Sequence, residues 1–298
     1  MIRRALTLLD RFTIAIPFVW LLVFLGLPLL CVTALAFHSI ADSIPPVEPL
    51  LQVTDGHFVL HGGLRAFRMV LADPLYRFAF VSALVNATLT TAGCILIGFP
   101  FALAIARAPG KRRNLYLFLA ILPFWTSFLL RSYAWMGLIR DSGPVQSLLL
   151  WLGVIHRPVA VLYSPAAVLL VMIYSYLPFF VLPMYAVLEK LPAELISAAA
   201  DLGARPGYAF RTITLPLSLP GIISGGILVF VPAVGEYVIP DLVGNSRTVM
   251  IGGILWEEFF ENRDWPLAAA IAVLTFAILM LPALLMRRWL SRSEMVSV

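Results

Sequence analysis

The stretch "FVPAVGEYVIPDLVG" (residues 230–244) places a carboxylate, Glu236, inside an apolar run. A carboxylate at mid-helix costs about 2.5 to 3.5 kcal/mol on insertion scales, so Glu236 must find a partner or a ligand. Pro232, Gly235 and Pro240 around it predict a broken helix, an interruption that membrane proteins use to build ion and solute sites. Carboxylates and aromatic faces are the groups that replace the water an ammonium ion sheds in an apolar path. Glu236 and Asp241, with Tyr237, Trp125, Tyr133, Trp135, Tyr174 and Tyr176, form the candidate set for such a cation. Two plainer readings compete. Arg131, in an earlier apolar run, can neutralise Glu236 as a structural ion pair, and Trp and Tyr gather at bilayer interfaces without any ligand.

Other chemistry is sparse. "WEEFFENRDWP" (256–266) gathers Glu257, Glu258, Glu261 and Asp264 against Arg263, which reads as a solvated acidic loop, a contact for a soluble partner or a field that concentrates cations. His57 and His61 in "HFVLH" are four apart, a metal-binding spacing only on a helix, whereas turn residues flank an apolar core that predicts a strand. No metal, no cofactor and no nucleophile–base pair are predicted, and no G-x-x-x-x-G-K-[ST] loop is present to cradle phosphate. Cys31 and Cys94 fall in predicted helices and read as reduced and buried. The chain is not read as an enzyme.

The elements that must hold these groups follow from composition. Of 298 residues, 61% are hydrophobic and 12% charged, which excludes a soluble globular domain and identifies a membrane protein. About six apolar runs reach the roughly 20 residues a bilayer crossing needs: 13–37, 76–106, 114–138, 163–188, 217–242 and 265–286. No ten-residue alternation suggests a barrel. The first run is too long for a cleaved signal, despite the basic start and Ala34-Leu35-Ala36, and is read as a retained helix. Most of the 21 Lys and Arg fall at 3–11, 107–113, 190–211 and 287–292, which puts both termini and the second and fourth loops in the cytoplasm. The net charge of +5 reflects that topology, and nucleic-acid binding is not predicted. Residues 1–75 are read as a first helix and periplasmic loop, 76–288 as the core transmembrane domain and 289–298 as a cytoplasmic tail. The loop at 38–75 carries turn and hairpin signals, and 140–158 predicts a short surface helix.

Between the fourth and fifth runs lies "SAAADLGARPGYAFRTITLP" (197–216), polar and punctuated by Gly and Pro. Pro192, the Ala- and Leu-rich "AELISAAADL" and Gly203 predict a short helix ending at Gly203, with a second through "YAFRTITL". Glu194, Ser197 and Asp201 share one face of the first helix, and Leu195, Ala198, Ala199 and Leu202 supply apolar surface. Helices that lie on membranes favour Lys and Arg, so these carboxylates suit docking onto a soluble protein better.

This loop resembles the "EAA-xxx-G-(nine residues)-I-x-LP" signature of permease subunits of binding-protein-dependent ATP-binding cassette importers, with Ser197, Ala198, Ala199, Gly203, Ile213, Leu215 and Pro216 in register. The family's leading Glu is Ser197 here, and Glu194 and Asp201 stand on the same predicted face. "LPFWTSFLLRSYAWMGLIRDSG", "LLLWLGVI", "ADLGARP", "FVPAVGEYVIPDLVG" and "LWEEFFENRDWPLAAAIAV" are similar to polyamine permeases, most like the putrescine type, over most of 75–288. The resemblance implies an all-α bacterial inner-membrane protein of about six transmembrane helices. It further implies a second, distinct permease subunit, two ATPase subunits that bind ATP and Mg, and an extracytoplasmic polyamine-binding protein. Glu194, Ala198, Asp201, Leu202 and Gly203 would dock the ATPase. Importing another small cationic or organic solute is the alternative reading; an ATP-independent secondary transporter has no use for such a docking loop.

Overall fold

A backbone in hydrocarbon must satisfy its own N–H and C=O groups, so each long apolar run becomes helix. The computed structural model describes residues 13, 15–41, 43–48, 51–54, 57–60 and 62–294; the basic residues at 3–11 and His61 lie outside them. The architecture is α-helical with one small hairpin, and it divides into two units, residues 1–77 with 255–298 and residues 78–254.

In the first unit, α1 (Ala15–Leu35) carries a π-helical segment at Leu22–Gly26 and leaves its apolar side chains exposed, as a lipid-facing helix does. The hairpin signals become β1 (Leu51–Thr54) and β2 (His57–Leu60), antiparallel from Leu51 opposite Leu60 to Thr54 opposite His57. His57 therefore sits on a strand, without the helical spacing a metal pair needs. A short helix, α2 (Arg65–Ala72), follows. The last helix of this unit, residues 265–294, packs on both α1 and α2.

The second unit is built on α3 (Pro74–Arg107), α7 (Pro165–Leu188) and α9 (Pro206–Val234). Between them in sequence come α4 (Gly110–Ile121), α5 (Phe128–Ile139), α6 (Pro144–Trp151) and α8 (Ala193–Asp201); α10 (Val238–Val243), α11 (Ile251–Trp256) and α12 (Trp265–Glu294) complete the chain. The most buried span is α7, which lies against α9 along its length. Fully buried Phe180 of α7 fills the space left by two glycines: a Cβ on Gly98 of α3 would stand 2.6 Å from the ring, and one on Gly225 of α9 2.9 Å from it. Small residues here set how closely the three backbones approach.

Two runs that hydropathy reads as continuous are broken. The run 114–138 stops at Ile121, tightens into a 3₁₀ turn at Leu122–Trp125, goes extended at Thr126 and Ser127, and restarts as α5. The segments on either side of the break are bent by 95°. Pro123 lacks the N–H that would continue the α-ladder. The run 217–242 ends at Val234; Gly235 leaves the helix, and α10 begins after Glu236 and Tyr237. In the other direction the predicted second loop helix is fused to the fifth span, as Pro206–Ala209 and a π segment, Phe210–Thr214, continue into α9. Among the described residues, four helices are thus long and apolar enough to cross a membrane, or five with the bent pair counted, and α12 adds a shorter apolar segment at Trp265–Met280.

Candidate functional site

The helix break leaves the first amide groups of α10 without helical partners, and Glu236 supplies one. Its Oε1 accepts from the amides of Val238 at 2.9 Å and Ile239 at 3.3 Å, while Oε2 accepts from the Tyr176 hydroxyl of α7 at 2.5 Å. Glu236 and Tyr176 are each 7% exposed. Three hydrogen-bond donors on this buried carboxyl group stand in for the water it has lost. The ion pair with Arg131 does not form: Arg131 donates to the Pro123 carbonyl across the break, and its ring neighbour is Phe128 at 5.9 Å.

The helix α10 packs on α5 and α7, which carry the aromatic candidates. Trp135 of α5 meets Tyr174 of α7 edge to face, with centroids 5.2 Å apart. Tyr174 and Tyr176 are two apart on one helix and point to different sides, so this pair is separate from Glu236. Half-buried Tyr237 adjoins Glu236 in sequence, whereas Asp241, Tyr133 and Trp125 are exposed, and Trp125 packs on Phe118. The sequence reading missed Phe179 and Phe124, which extend an aromatic line from Tyr176, with centroids 6.0 and 4.9 Å apart along it. The Pro123 in "LPFW" was the available signal for a turn presenting Phe124.

At the other end of α9, α8 displays Glu194, Ser197, Ala198 and Asp201 to solvent, and Leu202 just past it is 89% exposed. Gly203 terminates the helix with φ +79°, a conformation other residues adopt at a cost. Ala199 and Ile213 are half-buried because they line a groove of about 470 Å³ with Leu202, Gly203, Ala204, Arg205, Tyr208 and Thr212. Leu215 and Pro216 are exposed on α9. The groove is lined mostly by apolar groups together with Arg205 and Thr212, and the exposed Glu194 and Asp201 carboxylates of α8 lie outside that lining.

The acidic segment is partly ordered by its own contacts. Glu258 accepts from the Tyr76 hydroxyl at 2.9 Å and from Asn262 Nδ2 at 3.0 Å. Asp264 caps α12 by accepting from the Leu267 amide at 3.0 Å. Burial pushes the Asp264 carboxyl above the usual carboxylate range, Glu258 adds to the rise, and the Leu267 bond and Arg65 oppose it.

Comparison with known proteins identifies the family and the fold. Residues 95–295 match the model of the family described as binding-protein-dependent transport system inner membrane component. The chain is 41% identical over 210 residues, 70% of its length, to the spermidine/putrescine transport system permease protein PotB of Escherichia coli (strain K12), covering 76% of that protein. It is 34% identical over 264 residues to the protein of the same name from Haemophilus influenzae, covering 89% of this chain and 88% of that one. Among solved structures, a crystal structure of a bacterial alginate ABC transporter in complex with an alginate pentasaccharide-bound periplasmic protein matches with TM-score 0.66 at 19% identity, over 95% of this chain and 93% of that one.

Proposed function

The chain belongs to the family of binding-protein-dependent transport system inner membrane components, the permeases of ATP-binding cassette importers, and on that premise we propose that its cargo is a polyamine of the putrescine or spermidine type. The observation that carries the cargo is Glu236, a buried carboxylate at a helix break, with aromatic rings on the two helices that flank α10. A chain of ammonium groups needs such partners at each step where it loses water. The names of the relatives at 41% and 34% identity support the same cargo.

In this reading the path runs past Glu236, Tyr237 and Tyr176, the Trp135–Tyr174 pair supplies a separate aromatic contact on another side of α7, and Asp241, Tyr133 and Trp125 line the path's entrance. Power comes from two ATPase subunits that bind ATP and Mg and dock on α8 through Glu194, Ala198, Asp201, Leu202 and Gly203. Closure of the ATPase dimer must favour one of two packings of the permease, which requires contacts at α8 that differ between them. A distinct second permease subunit completes the path, and an extracytoplasmic binding protein delivers the cargo; a structural neighbour of this chain was crystallised with such a protein. Both termini and α8 face the cytoplasm, consistent with the Lys and Arg distribution.

ATP-driven uptake of labelled putrescine into vesicles holding the whole importer, with unlabelled spermidine as competitor, tests the proposal. Uptake that requires ATP and falls at least about tenfold at limiting substrate in Glu236→Gln is the expected result, since a direct charge–charge contact is worth that much or more. Full uptake in that variant removes Glu236 from the path; ATPase assembly with no polyamine movement removes the cargo and leaves the permease.

A further inference from the structure

The basic run Arg107 to Arg113 is accounted for by topology alone, yet Arg113 behaves unlike its neighbours. Lys111 and Arg112 are exposed, whereas Arg113 turns inward from the start of α4. Its Nη1 donates to Glu189 Oε1 at 3.0 Å, its Nη2 donates to the Ala106 carbonyl at 3.2 Å, and its Nε is buried without a hydrogen-bond partner. Ala106 lies in the last turn of α3, whose final carbonyls have no helical donor, and Glu189 is the residue at which α7 ends. One guanidinium therefore joins the C-terminal ends of two spans, each the negative pole of its helix. With side chains 33% and 44% exposed, the ion pair adds little to stability. What it fixes is position.

Glu189 is separated from α8 only by Lys190, Leu191 and Pro192. The amides of Lys190 and Leu191 bond back to Val187 and Leu188, each at 3.2 Å, and the Pro192 ring fixes its own φ. A short, hydrogen-bonded connection of this kind transmits displacement instead of absorbing it. The unpaired Nε adds a second feature: a buried donor without a partner is costly, and a different packing of these helix ends can satisfy it.

We propose that Arg113 is a positioning residue of the transport cycle, tying the α3–α4 corner to the base of α8 so that a displacement of α8 moves α3, α4 and α7 together. This rests on the reading of α8 as the ATPase-docking helix. The measurement is solute moved per ATP hydrolysed by the whole importer in vesicles, for Arg113→Gln, Glu189→Gln, the exchange Arg113→Glu with Glu189→Arg, and Asp201→Arg as reference. Arg113→Gln and Glu189→Gln each assemble with the ATPase and hydrolyse ATP within about twofold of normal, but move about fivefold less solute per ATP, the lower end of typical coupling energies. The exchange recovers part of the ratio, because it restores the ion pair and not the bond to Ala106.

Unchanged ratios in both single variants overturn the proposal, as does an exchange no better than the worse single variant. Should Arg113→Gln fail to assemble, Glu189→Gln decides by itself, since it keeps the Ala106 bond. A lowered ratio in Asp201→Arg with normal ratios at 113 and 189 removes this inference and leaves the docking helix. A normal ratio in Asp201→Arg removes the docking helix and this inference with it.

Discussion

Glu236 is held from two places, by the first amides of α10 and by Tyr176, and a single substitution separates them. Tyr176→Phe deletes the donor to Oε2 and leaves the two amide bonds to Oε1 in place. A buried carboxylate oxygen left short of a donor destabilises by about 1 to 3 kcal/mol, so Tyr176→Phe lowers the melting temperature of the purified chain in detergent. With Glu236→Gln already present, the same change costs less, because no buried charge remains to be stranded; equal costs in both backgrounds contradict the bond. Asp264 yields a pH dependence of known sign. Its carboxyl is raised by burial, so the ionised form is disfavoured in the folded state. Its contribution to stability is fully present below the unfolded value near 3.8 and is lost as pH rises through the raised folded value. Asp264→Asn keeps an acceptor for the Leu267 amide and does not ionise. The melting temperature of the variant minus that of the natural protein therefore grows from about pH 4 toward pH 7; a flat difference refutes the cause.

At the scale of elements, identical chemistry at two glycines has opposite consequences. A Cβ on Gly225 would stand 2.9 Å from the Phe180 ring and 3.1 Å from the Phe180 carbonyl oxygen, and a backbone atom has no rotamer in which to escape. Gly225→Ala therefore forces α7 and α9 apart and destabilises by about 1 to 3 kcal/mol. Gly137 in α5 has nothing within 4 Å of the corresponding position, so Gly137→Ala gains helix propensity and stabilises by up to about 1 kcal/mol. Thermal unfolding of the two variants side by side checks both signs. Gly203, at φ +79° with open space around it, adds a conformational contrast: Gly203→Ala weakens ATPase binding more than Gly203→Asn, which tolerates that backbone region better. These elements differ in how well the sequence declares them. Hydropathy placed the apolar runs, and Gly203 and Pro192 placed α8, because those signals are local. Prolines were ambiguous: Pro178 and Pro183 leave α7 unbroken, while Pro123 accompanies a 95° bend. Whether neighbouring helices re-satisfy the freed carbonyl decides the outcome, and that is a property of packing. For the same reason Glu236 was legible as a problem but its partner was not, since Tyr176 is 60 residues away and Arg131 was as plausible by composition.

Across the second unit, one helix joins the two sites. From Pro206 to Val234 α9 has 29 residues, about 43 Å at 1.5 Å per residue, against a hydrocarbon core of about 30 Å. Its first residues line the α8 groove and its last lead into the break at Glu236, so the groove and the carboxylate lie at opposite ends of one span-length helix. The proposed orientation, with α8 cytoplasmic, rests on charge: Lys190, Arg205 and Arg211 cluster around α8, and an excess of Lys and Arg marks cytoplasmic loops. In a background with Cys31 and Cys94 replaced, a membrane-impermeant maleimide labels Asp241→Cys in intact cells and Ala198→Cys only in inverted vesicles. Added ATPase protects Ala198→Cys and leaves Asp241→Cys unaffected. The reverse pattern inverts the topology, and labelling of both from one face contradicts α9 as a membrane crossing. Protection is the sharper part, because an exposed helix such as α8 reacts freely with the reagent until a partner covers it.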